Sequence, residues 1–174
     1  KKEPKLGTEY TPMGFSGTSK AAGELVFAGY GITAPELKYD DYAGLDVQGK
    51  FVVILRRTPR YGEKGDRRFD TNVPPGEDSN HAAFATKIEL AMKNKAAGLI
   101  VVNDSTAAGK IDPIPSYQLH AMGTAPAKFP VLFLKRAVLD EVLAAAKQKS
   151  LEEVEKAINE NLKPVAFAVK GWKA

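Results

Sequence analysis

HAAFATKIELAMKNKAAGLIVVND, residues 81–104, is the stretch whose reading decides the fold. Its first part puts Phe84, Ile88, Ala91 and Met92 on one helical face and Lys87, Glu89, Lys93 and Asn94 elsewhere. Its last part, Leu99 to Val102, is an unbroken apolar run of strand length. Gly98 stands where the chain must turn out of the helix, and Asp78, Ser79 and Asn80 are all plausible N-caps. The pattern predicts an amphipathic helix over 81–97 that runs directly into a buried strand. It contains no complete set of catalytic residues.

Working outward, Phe51 to Leu55 (FVVIL) is a second apolar and β-branched run, as expected of a strand buried on both faces. Strand 51–55, helix 81–97 and strand 99–102 form a β-α-β unit, which requires parallel strands and a right-handed crossover. The chain is therefore expected to be α/β. Two long segments, 58–80 and 104–129, leave the carboxyl ends of the two strands. The first holds three prolines, three glycines and many charges without a period, and loops of this length in compact domains are usually functional. Ligands of open α/β sheets sit outside the carboxyl ends of the strands. A helix start at His81 would add unpaired N–H groups and a partial positive charge on the same side. One rim is thus expected to gather both loops, His81 and the basic cluster Arg60, Lys64, Arg67 and Arg68. The candidate residues for contact with a substrate or partner are Tyr61, Arg67, Arg68, Phe69, His81, Tyr117 and His120.

The remaining elements follow from shorter signals. Glu24 to Ala28 is a strand closed by Gly29 and Gly31, and Pro130 to Leu134 and Val165 to Val169 are two more. Leu139, Val142, Leu143 and Ala146 give residues 136–148 a helical spacing. Ser150-Leu151-Glu152-Glu153 fits a capping box that opens a last helix, and Pro164 ends it. Residues 1–23 are polar and rich in Gly, Ser and Thr, and read as a linker or an entry segment.

At 174 residues the chain is expected to form one domain able to bury a sound core. Hydrophobic content of 44% and charged content of 26% are those of a soluble globular protein. The net charge of +4 is too small to argue for nucleic acid without a basic stripe. Cysteine is absent, which excludes disulfides and thiol catalysis. No apolar run approaches the roughly 20 residues that span a bilayer. The opening Lys1-Lys2-Glu3-Pro4 has neither an initiator Met nor a signal-peptide core, so a mature product or a piece of a longer protein is expected.

Chemical motifs are weak. Gly29-Tyr30-Gly31-Ile32-Thr33-Ala34 fits a loose G-x-G-x-x-A, but Pro35 follows and no acidic residue ends the next strand, so a tight glycine turn is the better reading. With two histidines, His81 and His120, and scattered aspartates, no metal site is expected. A Ser–His–Asp set drawn from Ser79 or Ser116 and His120 lacks a nucleophile elbow. Tyr61 and Phe69 in the basic loop would suit single-stranded nucleic acid, but Glu63, Asp66 and Asp70 dilute the charge. Asn103-Asp104-Ser105 is a glycosylation sequon.

Four blocks together, GELVFAGYGI (23–32), YDDYAGLDVQGKFVVIL (39–55), residues 81–104 and FPVLFL (129–134), resemble a protease-associated domain. The resemblance is to the type inserted in zinc-dependent aminopeptidases related to aminopeptidase Y and the transferrin receptor. It covers about residues 20–170. Residues 1–19 and 171–174 resemble flanks that leave and re-enter a peptidase domain. The resemblance implies a swivelling β/β/α fold, with a β-barrel or sandwich core flanked by helices. It implies a non-catalytic module that covers the active-site cleft and modulates substrate access or protein contacts. The zinc ions, their ligands and the general base would belong to the parent peptidase domain, so no catalytic or metal residue falls on this chain. A periplasmic or extracellular location is also implied. An independent peptide- or carboxylate-binding module is the alternative.

Overall fold

The computed structural model describes residues 3–61, 67–71, 73–74, 77–115 and 127–174. Its centre is a six-stranded mixed sheet built from β1 (Tyr10–Pro12), β2 (Glu24–Ala28), β5 (Phe51–Leu55), β6 (Gly98–Val102), β7 (Val131–Leu134) and β8 (Ala166–Lys173), in the order β1-β7-β6-β5-β2-β8. A separate ribbon pairs β3 (Thr33–Ala34) with β4 (Tyr39–Asp40). The inner strands β2, β5, β6 and β7 run parallel, and the edge strands β1 and β8 run antiparallel to their neighbours. The helices are α1 (Phe84–Lys93), the short α2 (Ser105–Ala108), α3 (Arg136–Ala145) and α4 (Leu151–Asn161). The fold is the expected α/β class, a strand-based core with flanking helices.

Both faces of the sheet are covered, which is why its central strands lack polar alternation. Phe27, Phe51, Val53, Leu55, Ile100 and Val102 meet Leu139, Leu143, Leu151, Val154 and Ile158 of α3 and α4. On the other face Val26, Val52, Ile54, Leu99, Val101 and Phe133 meet Ile88 and Ala91 of α1 together with Met13 and Phe15. Residue parity along each strand thus decides which helical layer it contacts. Both expected flanks supply strand: β1 lies against β7, and Lys173 at the end of β8 pairs with Glu24.

Local chemistry explains most element boundaries. Ser150 accepts from the Glu153 backbone while the Glu153 carboxylate accepts from the Ser150 backbone, the capping box expected at the start of α4. That helix ends at Leu162 in the left-handed region, two residues before Pro164. Five expectations are corrected. Helix α1 starts at Phe84 and not at His81, because Ala82 and Ala83 donate to the Ser79 carbonyl in a turn of their own and Ala83 is extended. None of Asp78, Ser79 and Asn80 caps it. The turn out of α1 falls at Lys95, with φ of 61°, while Gly98 begins β6, where a Cβ would collide with the Phe51 ring. Finally, residues 105–108 are the short helix α2 within the expected loop, and β8 extends four residues beyond Val169.

Candidate functional site

The rim forms where β2, β5 and β6 end together. The Leu55 N–H donates to the Gly29 carbonyl at 2.8 Å and the Arg56 N–H to the Val102 carbonyl at 2.7 Å, so the three departing segments are stitched at their roots. Gly29 and Gly31 have φ of +47° and +67°. This is the tight turn expected of the glycine pair, and it wraps a carboxylate rather than a nucleotide. The Tyr30 and Ile32 N–H groups both donate to Asp41 Oδ2 at 3.0 Å, and the Tyr39 hydroxyl donates to Asp41 Oδ1 at 3.0 Å. A Cβ at Gly29 would collide with that carboxylate. Burial pushes the Asp41 carboxyl up to about 7, against the opposing pull of these hydrogen bonds and of Lys87.

Lys87 is the residue that the sequence pattern misplaced. It sits fully buried on α1 and donates to the Tyr30 carbonyl. Burial lowers its pKa to about 7, opposed by the charges of Asp41, Asp104, Asp78 and Asp70. Positions 84, 87, 88 and 91 form the i, i+3, i+4, i+7 set of one helical face, so the geometric signal for burial was present and the charge masked it.

A second polar hub fixes the other side of the rim. Glu155 of α4, 3% exposed, accepts from the Ser105 N–H at 2.7 Å, the Tyr30 hydroxyl at 3.4 Å and Arg136 Nη1 at 2.7 Å. Arg136 Nη1 also donates to the Asn103 carbonyl at 2.8 Å. Asn103 in turn donates to Asp112 Oδ1 and the Pro113 carbonyl, and it is wholly buried, so the sequon offers no accessible amide. Asp104 caps α2 through the Ala107 N–H, and burial raises its pKa.

The rim residues expected from sequence have unequal roles. Tyr61 is half-buried and its ring lies 4.2 Å from the Arg57 guanidinium. Arg67 is partly buried and Arg68 exposed. Phe69 is 3% exposed and wedged edge-on between Tyr39, at 4.9 Å, and His81, at 6.0 Å. It is a packing residue rather than an outward contact, because an isolated aromatic in a charged loop gains most by burial. His81 stands in the turn before α1, with Nε2 3.4 Å from Glu36. Tyr117 and His120, with Lys64 and Ser116, lie outside the described residues. Arg60 of the expected basic cluster is a structural clamp: it donates to the Asn159 and Glu160 carbonyls at 2.6 and 3.0 Å, fastening the loop after β5 to α4. Arg56 and Arg57, which the sequence reading left out, place guanidinium groups over Phe84 and Tyr61.

Chemically, these groups hold loops. The Ser79 hydroxyl accepts from the Ala82 N–H, and His81 is paired with Glu36, so the two do not form a nucleophile and base. Among the described residues no group of three or more His, Asp or Glu side chains is placed to hold a metal, and no helix is long and apolar enough to cross a membrane.

The sequence matches the family described as PA domain over residues 21–142. A search of curated proteins found no match. Among solved structures, an aminopeptidase from Aneurinibacillus sp. strain AM-1 is similar at 24% identity and a TM-score of 0.49. That similarity covers 80% of this chain, and the chain spans only 25% of the aminopeptidase. With the family pattern running through β2, the glycine turn around Asp41, β5, α1, β6 and β7, the chain belongs to the PA domain family.

Proposed function

We propose that this chain is a non-catalytic module of a zinc-dependent aminopeptidase, seated over the active-site cleft, where it modulates substrate access or protein contacts. Zinc and the groups that use it would be supplied by the parent peptidase domain, and the parent would be exported to the periplasm or the extracellular space. The observation that carries the proposal is the use of the buried ionisable groups at the rim. Asp41 and Glu155 accept hydrogen bonds from the backbone of a neighbouring segment, and Asp104 accepts one from the first turn of the helix it caps. Catalytic acids and bases must instead face a reacting group, whereas a cover needs well-fixed loops. The test is hydrolysis of aminoacyl-nitroanilides by the isolated chain with and without added zinc. No hydrolysis is expected, and turnover that a chelator abolishes would overturn the proposal.

One observation favours a second role, as a peptide- or carboxylate-binding module. Arg56 and Arg57 lie over aromatic rings at 5.5 and 4.2 Å, and Arg67 stands on the same loop. A guanidinium stacked on a ring keeps its planar fork preorganised for a carboxylate. Titration of the labelled chain with peptides by NMR separates the two roles. Absence of shifts in 56–71 and 77–84 at millimolar peptide would remove the second.

A further inference from the structure

Lys87 is fully buried with too few hydrogen bonds for its charge. An ammonium group has three N–H donors, and among the described residues Lys87 gives one of them to the Tyr30 carbonyl and forms no salt bridge. Acids face it from each surrounding segment: Asp41 beyond β4, Asp70 and Asp78 between β5 and α1, and Asp104 at the end of β6. Each is engaged at least in part by its own surroundings, with Asp70 Oδ1 and Asp104 Oδ2 left without a hydrogen-bond partner among the described residues. Asp41 is held by Tyr30, Ile32 and Tyr39, Asp70 by the Thr58 hydroxyl at 2.6 Å, Asp78 by the Tyr61 hydroxyl, and Asp104 by the Ala107 N–H. Arg57 and Glu155 add opposing charges at Asp104, and Tyr42 adds a buried phenol near Asp41. An ammonium in this place is short of hydrogen bonds, whereas an uncharged amine is nearly at ease.

We propose that Lys87 is a proton-operated latch on the rim: when the amine sheds its proton, the segments carrying Tyr30, Asp41, Asp70 and Asp78 close onto α1, and when it takes one up they open and let the ammonium reach water. The direction follows from linkage. Burial lowers the Lys87 pKa, so the open rim binds the proton more tightly than the closed one, and acidification from about pH 10 towards 7 favours opening. Asp41 sets the lower limit. Burial raises its pKa, so the open rim binds that proton less tightly, and protonation of Asp41 below about 7 opposes further opening. The rim is therefore loosest near neutrality and tightens on either side. The latch does not depend on what the rim covers.

Hydrogen exchange, corrected for the intrinsic pH dependence of the chemistry, tests it on the 174-residue chain. Opening of segments 29–42 and 77–91 is expected to fall between pH 7 and pH 9, at most about tenfold per pH unit for one proton. In Lys87→Met the same segments should stay protected, with little change over that range. An unchanged rim in the wild type, or the same slope in Lys87→Met, overturns the latch. If that variant does not fold, the ε-carbon shift of labelled Lys87 in the wild type decides: a midpoint near 7 supports the latch, and one near the ordinary lysine value of about 10.4 overturns it.

Discussion

Removing Glu155 should cost far more than removing its pairing with Arg136 as a unit. The charges meet at 2.7 Å with side chains 4% and 15% exposed. At an effective dielectric constant of about 20 their attraction is on the order of 6 kcal/mol. The cost of taking two ions out of water is several kcal/mol for each, so the net contribution of the pair is close to zero. Glu155→Leu keeps that desolvation cost for Arg136 without its partner, and it also strips the Ser105 N–H of its acceptor. A loss of about 3–5 kcal/mol is expected. Glu155→Gln keeps an acceptor and loses the charge, for about 1.5–3 kcal/mol. Glu155→Leu combined with Arg136→Met removes both ions together and should be less destabilised than the two single changes added, with a coupling of about 2 kcal/mol. The assay is urea unfolding followed by far-UV circular dichroism for the four members of the cycle. A Glu155→Leu cost under about 1 kcal/mol, or additivity within about 0.5 kcal/mol, would refute the reasoning, because it would mean that water screens the pair in the native state.

Three further outcomes are expected. Gly29→Ala meets both a positive φ and the Asp41 carboxylate, and should lower stability by about 2 kcal/mol or more in the same unfolding assay. The folded Asp41 holds its proton up to about pH 7 against an ordinary value of 3.8, so its stabilising contribution is full below about pH 4 and is lost as pH rises to about 7. Wild-type stability should therefore decline relative to Asp41→Asn across that window, and parallel curves would contradict the assignment. Ser150→Ala removes the capping box of α4 and should cost about 1 kcal/mol by thermal unfolding.

The strands were legible in the sequence because burial on both faces leaves an unmistakable apolar run. FVVIL became β5 without adjustment, and the run ending in GLIVV became β6. The capping box at Ser150 was equally plain, since its two reciprocal bonds are local. The rim was legible as a place, because topology alone sends 56 and 103 to one edge, but its chemistry was not. Its charge sets Lys87 apart from the apolar face in the sequence pattern, although its position completes the buried face. Phe69 was read as an outward contact, because nothing local announces that Tyr39 and His81 will close around it. Glu155 and Arg136 were invisible as a pair, since nothing in either helix specifies the crossing of α3 and α4 that brings them together.

The role proposed for this PA domain is to cover a peptidase cleft without reacting there. The most direct test is the parent enzyme with and without this module, compared by kcat/KM on an aminoacyl-anilide and on peptides of increasing length. Removal of the module should change the ratio between long and short substrates by about tenfold, or roughly 1.4 kcal/mol of transition-state energy. An unchanged ratio across substrate length would contradict it.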